Sequence, residues 1–434
     1  MGSGGNSGQI PSAYDVVVIG GGPAGSTTAA LLAQKGLSVL VLEKTRFPRF
    51  SIGESLMPES YWTLERLGMI DKLNASHFTK KYSVQFVSAS GRASKPFYFS
   101  ETNDGPSAQT WQVLRSEFDE MLLDNAADHG AEVRHDVRVK HVMFEGDRAV
   151  GVELSDPAGN GGTEEIRARV VVDASGRSAI LARQLRMLDK FPELKRISMF
   201  SYFENGIRDP GIDEGVTRAV KIRDDLGWFW YIPLPNNQVS VGVVAEASVL
   251  YAGRKRDLEK IFDLEIELNP WIRDRLVHAH RIMDVKVLSD FSYRARRIAG
   301  DGWVLVGDAF GFVEPIYASG VFLALKSGEM AADAIGAGFE AGDLGGAQLG
   351  AFGDELVAGI ETVRKMVNAF YSPEFNFAEF LKQHPEQRRN IVDVLVGSIF
   401  DDRIQDLFPA IEQYCALPPP MPLDNPGQPL AAIS

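Results

Sequence analysis

The chain has 434 residues, 45% of them apolar and 24% charged, enough for two or three packed units sharing a large core, and it has no apolar run near the ~20 residues that span a bilayer. Its 45 Lys and Arg against 58 Asp and Glu leave a net charge of −13, which argues against a nucleic-acid partner because phosphate backbones need a basic stripe. A single cysteine, Cys415, rules out an internal disulfide framework and a multi-cysteine metal site, and a reducing cytoplasm is the expected setting.

Residues 1–13, "MGSGGNSGQIPSA", lack a basic segment followed by an apolar one and read as a flexible lead-in rather than a signal peptide. "YDVVVI" (14–19) is a β-branched run bounded by glycines, which predicts a buried strand. "GGGPAG" follows, then the Ala/Leu-rich helix "STTAALLAQKG" and a second strand "LSVLVLEK" that ends at Glu43 and Lys44. Gly20, Gly22 and Gly25 have G-x-G-x-x-G spacing, with Pro23 and Ala24 between the last two. The first glycine permits a tight turn, the second lets a pyrophosphate reach the backbone, and the third lets helix and strand pack closely. The helix start would hold the phosphates and Glu43 would bind ribose hydroxyls, so the unit predicts dinucleotide binding.

Farther along, "ASHFTKKYSVQF" (75–86) sets two lysines before an apparent strand, and "KYSVQFVSASG" and residues 196–250 alternate as antiparallel strands do. "ARVVVDASG" and "GWVLVGDA" read as further nucleotide-domain strands. In "GWFWYIPL" (227–234), Trp228 and Trp230 fall on one face of a strand, where they are either core packing or the wall of a chamber. "RKRDLEK" (254–260) reads as an exposed helix start. "HAH" carries no carboxylate or thiol pattern, so no metal site is expected. Residues from about 320 to 415 are helical in pattern, and "LPPPMPLDNPGQPLAAIS" is an extended, mobile tail.

Three more stretches give the dinucleotide an identity by resemblance. "VLRSEFDEMLLDNAADHGA", "VVDASGRSA" and "GDAFGFVEPIYASG" resemble segments of the large FAD-dependent family that includes p-hydroxybenzoate hydroxylase. The resemblance implies FAD, approached by Arg115, Asp173 and Asp308, with Gly320 near it. Within that family, "WFWYIP" matches the W-x-W-x-I-P motif of flavin-dependent halogenases through Trp228, Trp230, Ile232 and Pro233.

That narrower resemblance implies that reduced FAD (FADH2) and oxygen convert chloride or bromide into hypohalous acid for an electron-rich aromatic in secondary metabolism. The substrate would be a small phenol or pyrrole, free or tethered to a carrier protein, and a separate reductase would supply the reduced flavin. By the same resemblance Lys81, rather than Lys80, handles the oxidant. Halide lies at Ser319 and Gly320, and Trp228 and Trp230 keep the organic substrate from the flavin. Glu54, in the strap-like "RFSIGESLMP", either couples flavin to halide or merely starts a helix. The alternatives on this scaffold are an aromatic monooxygenase, a geranylgeranyl-reductase-like enzyme, and an FAD-binding protein without turnover.

The fold expected is α/β. A Rossmann-like FAD-binding domain (14–75, 111–190 and 295–340) interleaves with an antiparallel β-sheet substrate domain (76–110 and 191–294). A C-terminal helical region (341–416) and a Pro-rich tail (417–434) follow.

Overall fold

The structure is a computed structural model and describes residues 14–155, 164–253, 257–289 and 291–424. The lead-in 1–13, residues 254–256 of the basic run and the tail beyond 424 lie outside the described residues.

Five strands run parallel in the order Trp303–Leu305, Glu165–Asp173, Tyr14–Ile19, Val39–Leu42 and Glu132–Arg134. Val16, Val17, Val18, Leu40, Val41, Val171 and Val172 are almost wholly buried, as a sheet covered on both faces requires. Helix Pro23–Gln34 follows the first strand and lies against the 23-residue helix Ser319–Ala341. The two approach so closely that a Cβ on Gly328 would fall 2.6 Å from the Ala24 carbonyl oxygen. Thr28 Oγ1 ties them by donating towards the carbonyls of Ala24 and Gly328, at 2.9 and 3.1 Å.

A second, eight-stranded sheet has Ile197–Glu204, Gln238–Ala245, Gly227–Pro233, Thr217–Lys221 and Ser83–Val87 side by side. All these pairings are antiparallel except the last: Ser83–Val87 runs parallel to Thr217–Lys221, contrary to the alternation-based expectation. The two strands lie far apart in sequence, so no hairpin dictates their direction. Both lysines of "TKK" fall in a separate ribbon, Thr79–Lys81, paired with Thr110–Gln112.

Every residue of Gly227–Pro233 is buried, and the strand divides its side chains between two cores. Trp228, Trp230 and Ile232 join the main core, whereas Phe229 and Tyr231 pack on the other face with Phe262 and Ile266 of helix Leu258–Glu267. The C-terminal helices Gly353–Tyr371 and Phe377–Gln383 cover the tryptophan face: Phe370 meets Trp228 edge-on at 6.4 Å and Phe377 stacks on Phe86 at 6.3 Å.

The described part of the tail corrects the expectation of mobility. The Pro419 and Pro422 carbonyls accept from Arg364 and Arg294, and the Asp424 amide donates to the Arg296 carbonyl at 2.9 Å. Prolines have no N–H to satisfy but keep their carbonyls, and two buried guanidinium groups take them. The longest helices do not reach the length and apolarity of a membrane span among the described residues.

Candidate functional site

The parallel sheet and the tryptophan face of the second sheet enclose a cavity of about 990 Å³. That is at the upper end of small-molecule sites and suits an extended, dinucleotide-sized ligand. The glycine loop forms one end of it. Gly20 has φ +103°, and a Cβ there would stand 2.5 Å from the Ala174 carbonyl oxygen. A Cβ on Gly25 would fall 1.9 Å from the Gly20 carbonyl oxygen, so this glycine serves helix–strand packing and does not line the cavity. Gly22, Pro23 and Ala24 do line it, and at Gly22 the nearest atom to a Cβ is Arg49 Nη2, 3.4 Å away.

Glu43 is buried in the cavity wall and held from below: the Gly21 amide donates to Oε2 at 2.8 Å, and the Thr45 amide and hydroxyl donate to Oε1 at 3.0 and 2.7 Å. Oε1 is filled by its two Thr45 donors, while Oε2, with the Gly21 amide alone, keeps a lone pair for a ribose hydroxyl. Lys44, at the exposed mouth, reaches Ser178 Oγ at 3.3 Å. Arg115 starts its helix fully within the wall; Asp119 grips it through Nε and Nη2 at 2.7 and 2.9 Å, and its Nη1 donates to the Ile52 carbonyl. Asp308 also lines the cavity, and burial pushes its carboxyl up to about 6.

Asp173 departs from the expectation. It does not line the cavity, and its oxygens accept from the Ser175 and Leu181 amides at 3.0 and 2.8 Å. Its work is to shape the loop whose Ala174, Ser175, Gly176 and Arg177 do line the cavity. Arg49, which the spacing rules do not single out, lies beside Gly22 and pairs with Asp119 at 3.2 Å. Glycines open to the cavity, ribose-ready Glu43 and the cations Lys44, Arg49 and Arg177 together fit FAD.

At the far end stand the indoles. Trp228 and Trp230 both line the cavity, with ring centroids 6.0 Å apart. Trp230 Nε1 donates to Ser240 Oγ at 3.0 Å. Trp228 Nε1 donates to Tyr371 Oη at 2.8 Å and approaches Glu314 Oε1 at 3.4 Å, while Tyr371 donates to the same Oε1 at 2.7 Å. Glu314 Oε2 accepts from the Ile316 amide at 2.7 Å. Burial pushes the Glu314 carboxyl up to about 7 despite these donors. Neither Glu314 nor Tyr371 carries a sequence signal for this role.

The turn Pro315–Tyr317 then leads through Ala318, at φ 57°, into the helix that starts at Ser319. Gly320 lines the cavity, while the Ser319 side chain is buried outside it. A Cβ on Gly320 would meet the Phe312 ring at 2.8 Å. No side chain caps this helix, so its first amides and dipole are available to an anion.

Glu54 lines the cavity too; Tyr202 donates to its Oε1 at 2.5 Å and the Gly53 amide to its Oε2 at 3.0 Å. It precedes no helix directly: an isolated bridge at Ser55 and a turn separate it from helix Ser60–Arg66.

Lys81 stands behind the wall rather than in it. Its side chain is 1% exposed, and Nζ donates to Ser55 Oγ at 2.9 Å and to the Leu56 carbonyl at 3.0 Å, 5.3 Å from the Phe99 ring centre. Burial without an anionic partner lowers its pKa to about 7. Lys80, its neighbour, is exposed. No group of three or more His, Cys, Asp or Glu is placed to hold a metal among the described residues.

Known proteins resemble this chain along most of its length. Residues 13–337 match the family described as "FAD binding domain". The chain is 34% identical over 394 residues to the 1H-pyrrole-2-carbonyl-[peptidyl-carrier protein] brominase of Pseudoalteromonas luteoviolacea, covering 89% of this chain and 93% of that protein. To the 1H-pyrrole-2-carbonyl-[peptidyl-carrier protein] chlorinase of Pseudomonas fluorescens it is 30% identical, covering 92% and 94%. The solved structure of the flavin-dependent brominase Bmp2 superposes with a TM-score of 0.82 at 31% identity, over 92% of this chain and 98% of that one.

Proposed function

The chain belongs to the flavin-dependent halogenases, and we propose that it halogenates a pyrrole ring presented by a carrier protein. The substrate reading rests on two relatives that act on a pyrrole-2-carbonyl carrier protein and match along nearly the whole chain. The single observation that carries the chemistry is Lys81, a dehydrated amine directly behind the cavity wall.

Bound and reduced, FAD supplies with oxygen the oxidising power that turns halide into hypohalous acid. Gly20, Gly22 and the start of helix Pro23–Gln34 hold its phosphates, Glu43 its ribose, and Arg115 and Asp308 the middle of the cofactor. The amides at Ser319 and Gly320 hold the halide. Trp228 and Trp230, each fixed by a hydrogen bond from its indole nitrogen, exclude a ring-sized molecule from this chamber while passing a small oxidant. Lys81, whose Nζ touches the cavity-lining Ser55 and keeps one hydrogen beyond those given to Ser55 and Leu56, is the group that activates that oxidant. As an ammonium it donates to the hypohalous oxygen, so the halogen becomes electrophilic; the ring forms a carbon–halogen bond, loses its proton, and water leaves. Glu54, buttressed by Tyr202, holds the strap in the cavity wall. A separate flavin reductase supplies reduced FAD, and a reducing cytoplasm suits a protein with one buried cysteine.

Mass spectrometry of a pyrrolyl carrier conjugate and of a free pyrrole, each given FAD, a reductase, NADH and bromide, tests the reading. Bromine's paired isotope pattern on the conjugate is expected, with much less on the free ring. An oxygenated product formed equally without halide would overturn it.

A further inference from the structure

Lys81 must exchange a proton whenever it changes between ammonium and amine, yet it is sealed from solvent by protein. One chain of hydroxyls leaves it. Ser55 Oγ, which accepts from Nζ, lies 2.9 Å from Thr217 Oγ1, and both residues line the flavin cavity. Ser55 is 3% exposed, whereas Thr217 is only partly buried and marks where the chain meets the cavity.

Gln112 anchors the outer end of the chain. Its Nε2 donates to the Gly215 carbonyl at 2.8 Å and to Thr217 Oγ1 at 2.7 Å. The Gly215 contact fixes the amide's orientation, so Thr217 must accept from Gln112, and its own hydrogen is left for Ser55 or the cavity. With Lys81 as ammonium, Nζ donates to Ser55, Ser55 to Thr217, and Thr217 to the cavity. With Lys81 as amine the order reverses: Thr217 donates to Ser55 and Ser55 to Nζ. In both states each of the two hydroxyls donates one hydrogen bond and accepts at least one, so the chain can carry a proton in either sense. The Leu56 carbonyl and the Phe99 ring, also beside Nζ, cannot relay a proton, and no carboxylate pairs with Lys81 among the described residues.

We propose that Ser55 and Thr217 form the proton path between Lys81 and the flavin cavity, with Gln112 as the residue that positions it. Lys81 Nζ gives a proton to Ser55 Oγ as the Ser55 proton passes to Thr217 Oγ1 and the Thr217 proton leaves to cavity solvent. Each hydroxyl keeps one hydrogen, now reversed, and no electrons change hands. On the halogenase reading, this path resets the lysine after each turnover without opening the substrate side to water.

The test is NMR of the full chain labelled with [15N]lysine and loaded with FAD, the Lys81 signal assigned by its loss in Lys81→Met. Exchange of the Lys81 ammonium hydrogens with water should slow about tenfold or more in Thr217→Val, which keeps shape but removes the relay, and recover in Thr217→Ser. Ser55→Ala breaks the path at its other member and carries the same expectation should Thr217→Val fold poorly. Equal exchange in the wild type and these variants overturns the path, as does slowing in Thr217→Ser equal to that in Thr217→Val. The measurement uses neither halide nor aromatic substrate, so a failed halogenation assay and a failed exchange test are told apart.

Discussion

Lys81 is an amine whose charge nothing anionic supports, and its cost to the fold has a definite sign. Its folded pKa of about 7 lies below the ordinary 10.5, so between these values the unfolded chain binds more protons than the folded one. Stability should therefore rise with pH across this window and flatten below it. Each unit is worth about 1.4 kcal/mol, so the full effect is of the order of a few kcal/mol. Urea unfolding of the wild type and Lys81→Met at pH 6 and pH 9 checks this: the apolar variant should be the more stable at pH 6, with the gap narrowing at pH 9. Tyr371 gives a second expectation. Tyr371→Phe removes the hydroxyl between Trp228 and Glu314, leaving the 3.4 Å indole contact as Glu314's link to Trp228. The loss should be about 1–2 kcal/mol by denaturant titration, with a change in tryptophan fluorescence because Trp228 loses its nearest acceptor.

At the scale of elements, the glycine loop and its helix are the least negotiable piece. A methyl group on Gly25 would occupy space 1.9 Å from a carbonyl oxygen of the same loop, so neither backbone can yield cheaply. Gly25→Ala should weaken FAD binding by about a hundredfold or more in a fluorescence titration, as the helix start is pushed off the phosphates. This unit was legible because its signals are local: a β-branched strand, glycines at fixed offsets and an acid at the next strand's end. The indole pair was legible for the same reason, since alternation alone puts Trp228 and Trp230 on one face. Alternation does not reveal strand direction, and so Ser83–Val87 came out parallel to one neighbour. Asp173 resembles a cofactor ligand in sequence, but the Ser175 amide of the following loop and the Leu181 amide of the next helix bond to its two oxygens.

Across the whole molecule, the site is made by contacts between distant residues, and that limits what a sequence can disclose. Ser55 and Thr217 are 162 residues apart, Trp228 and Tyr371 143, and Arg49 and Asp119 70. No local period encodes such pairs; they arise only when loops, strands and helices distant in sequence pack together. Lys81 was reached through its resemblance to a family, whereas its burial and its route to the cavity required the fold. The tail is similar, for composition shows that it is extended but not that Arg294 and Arg364 await its carbonyls. Truncation after Ala416 should lower Tm by a few degrees in calorimetry, because buried Arg294 and Arg364 each lose a carbonyl acceptor, although Arg364 keeps Glu361 and Glu193.

The central claim, that Lys81 is the amine through which the oxidant reaches the ring, is tested most directly by Lys81→Ala. Halogenated carrier-bound pyrrole is quantified by mass spectrometry beside the wild type, with FAD content and consumption of reduced flavin measured on the same samples. The expected result is normal FAD binding and flavin oxidation with product lowered at least a hundredfold, on the scale of losing a group that acts in the transition state. Product at the wild-type level from the variant would contradict the account.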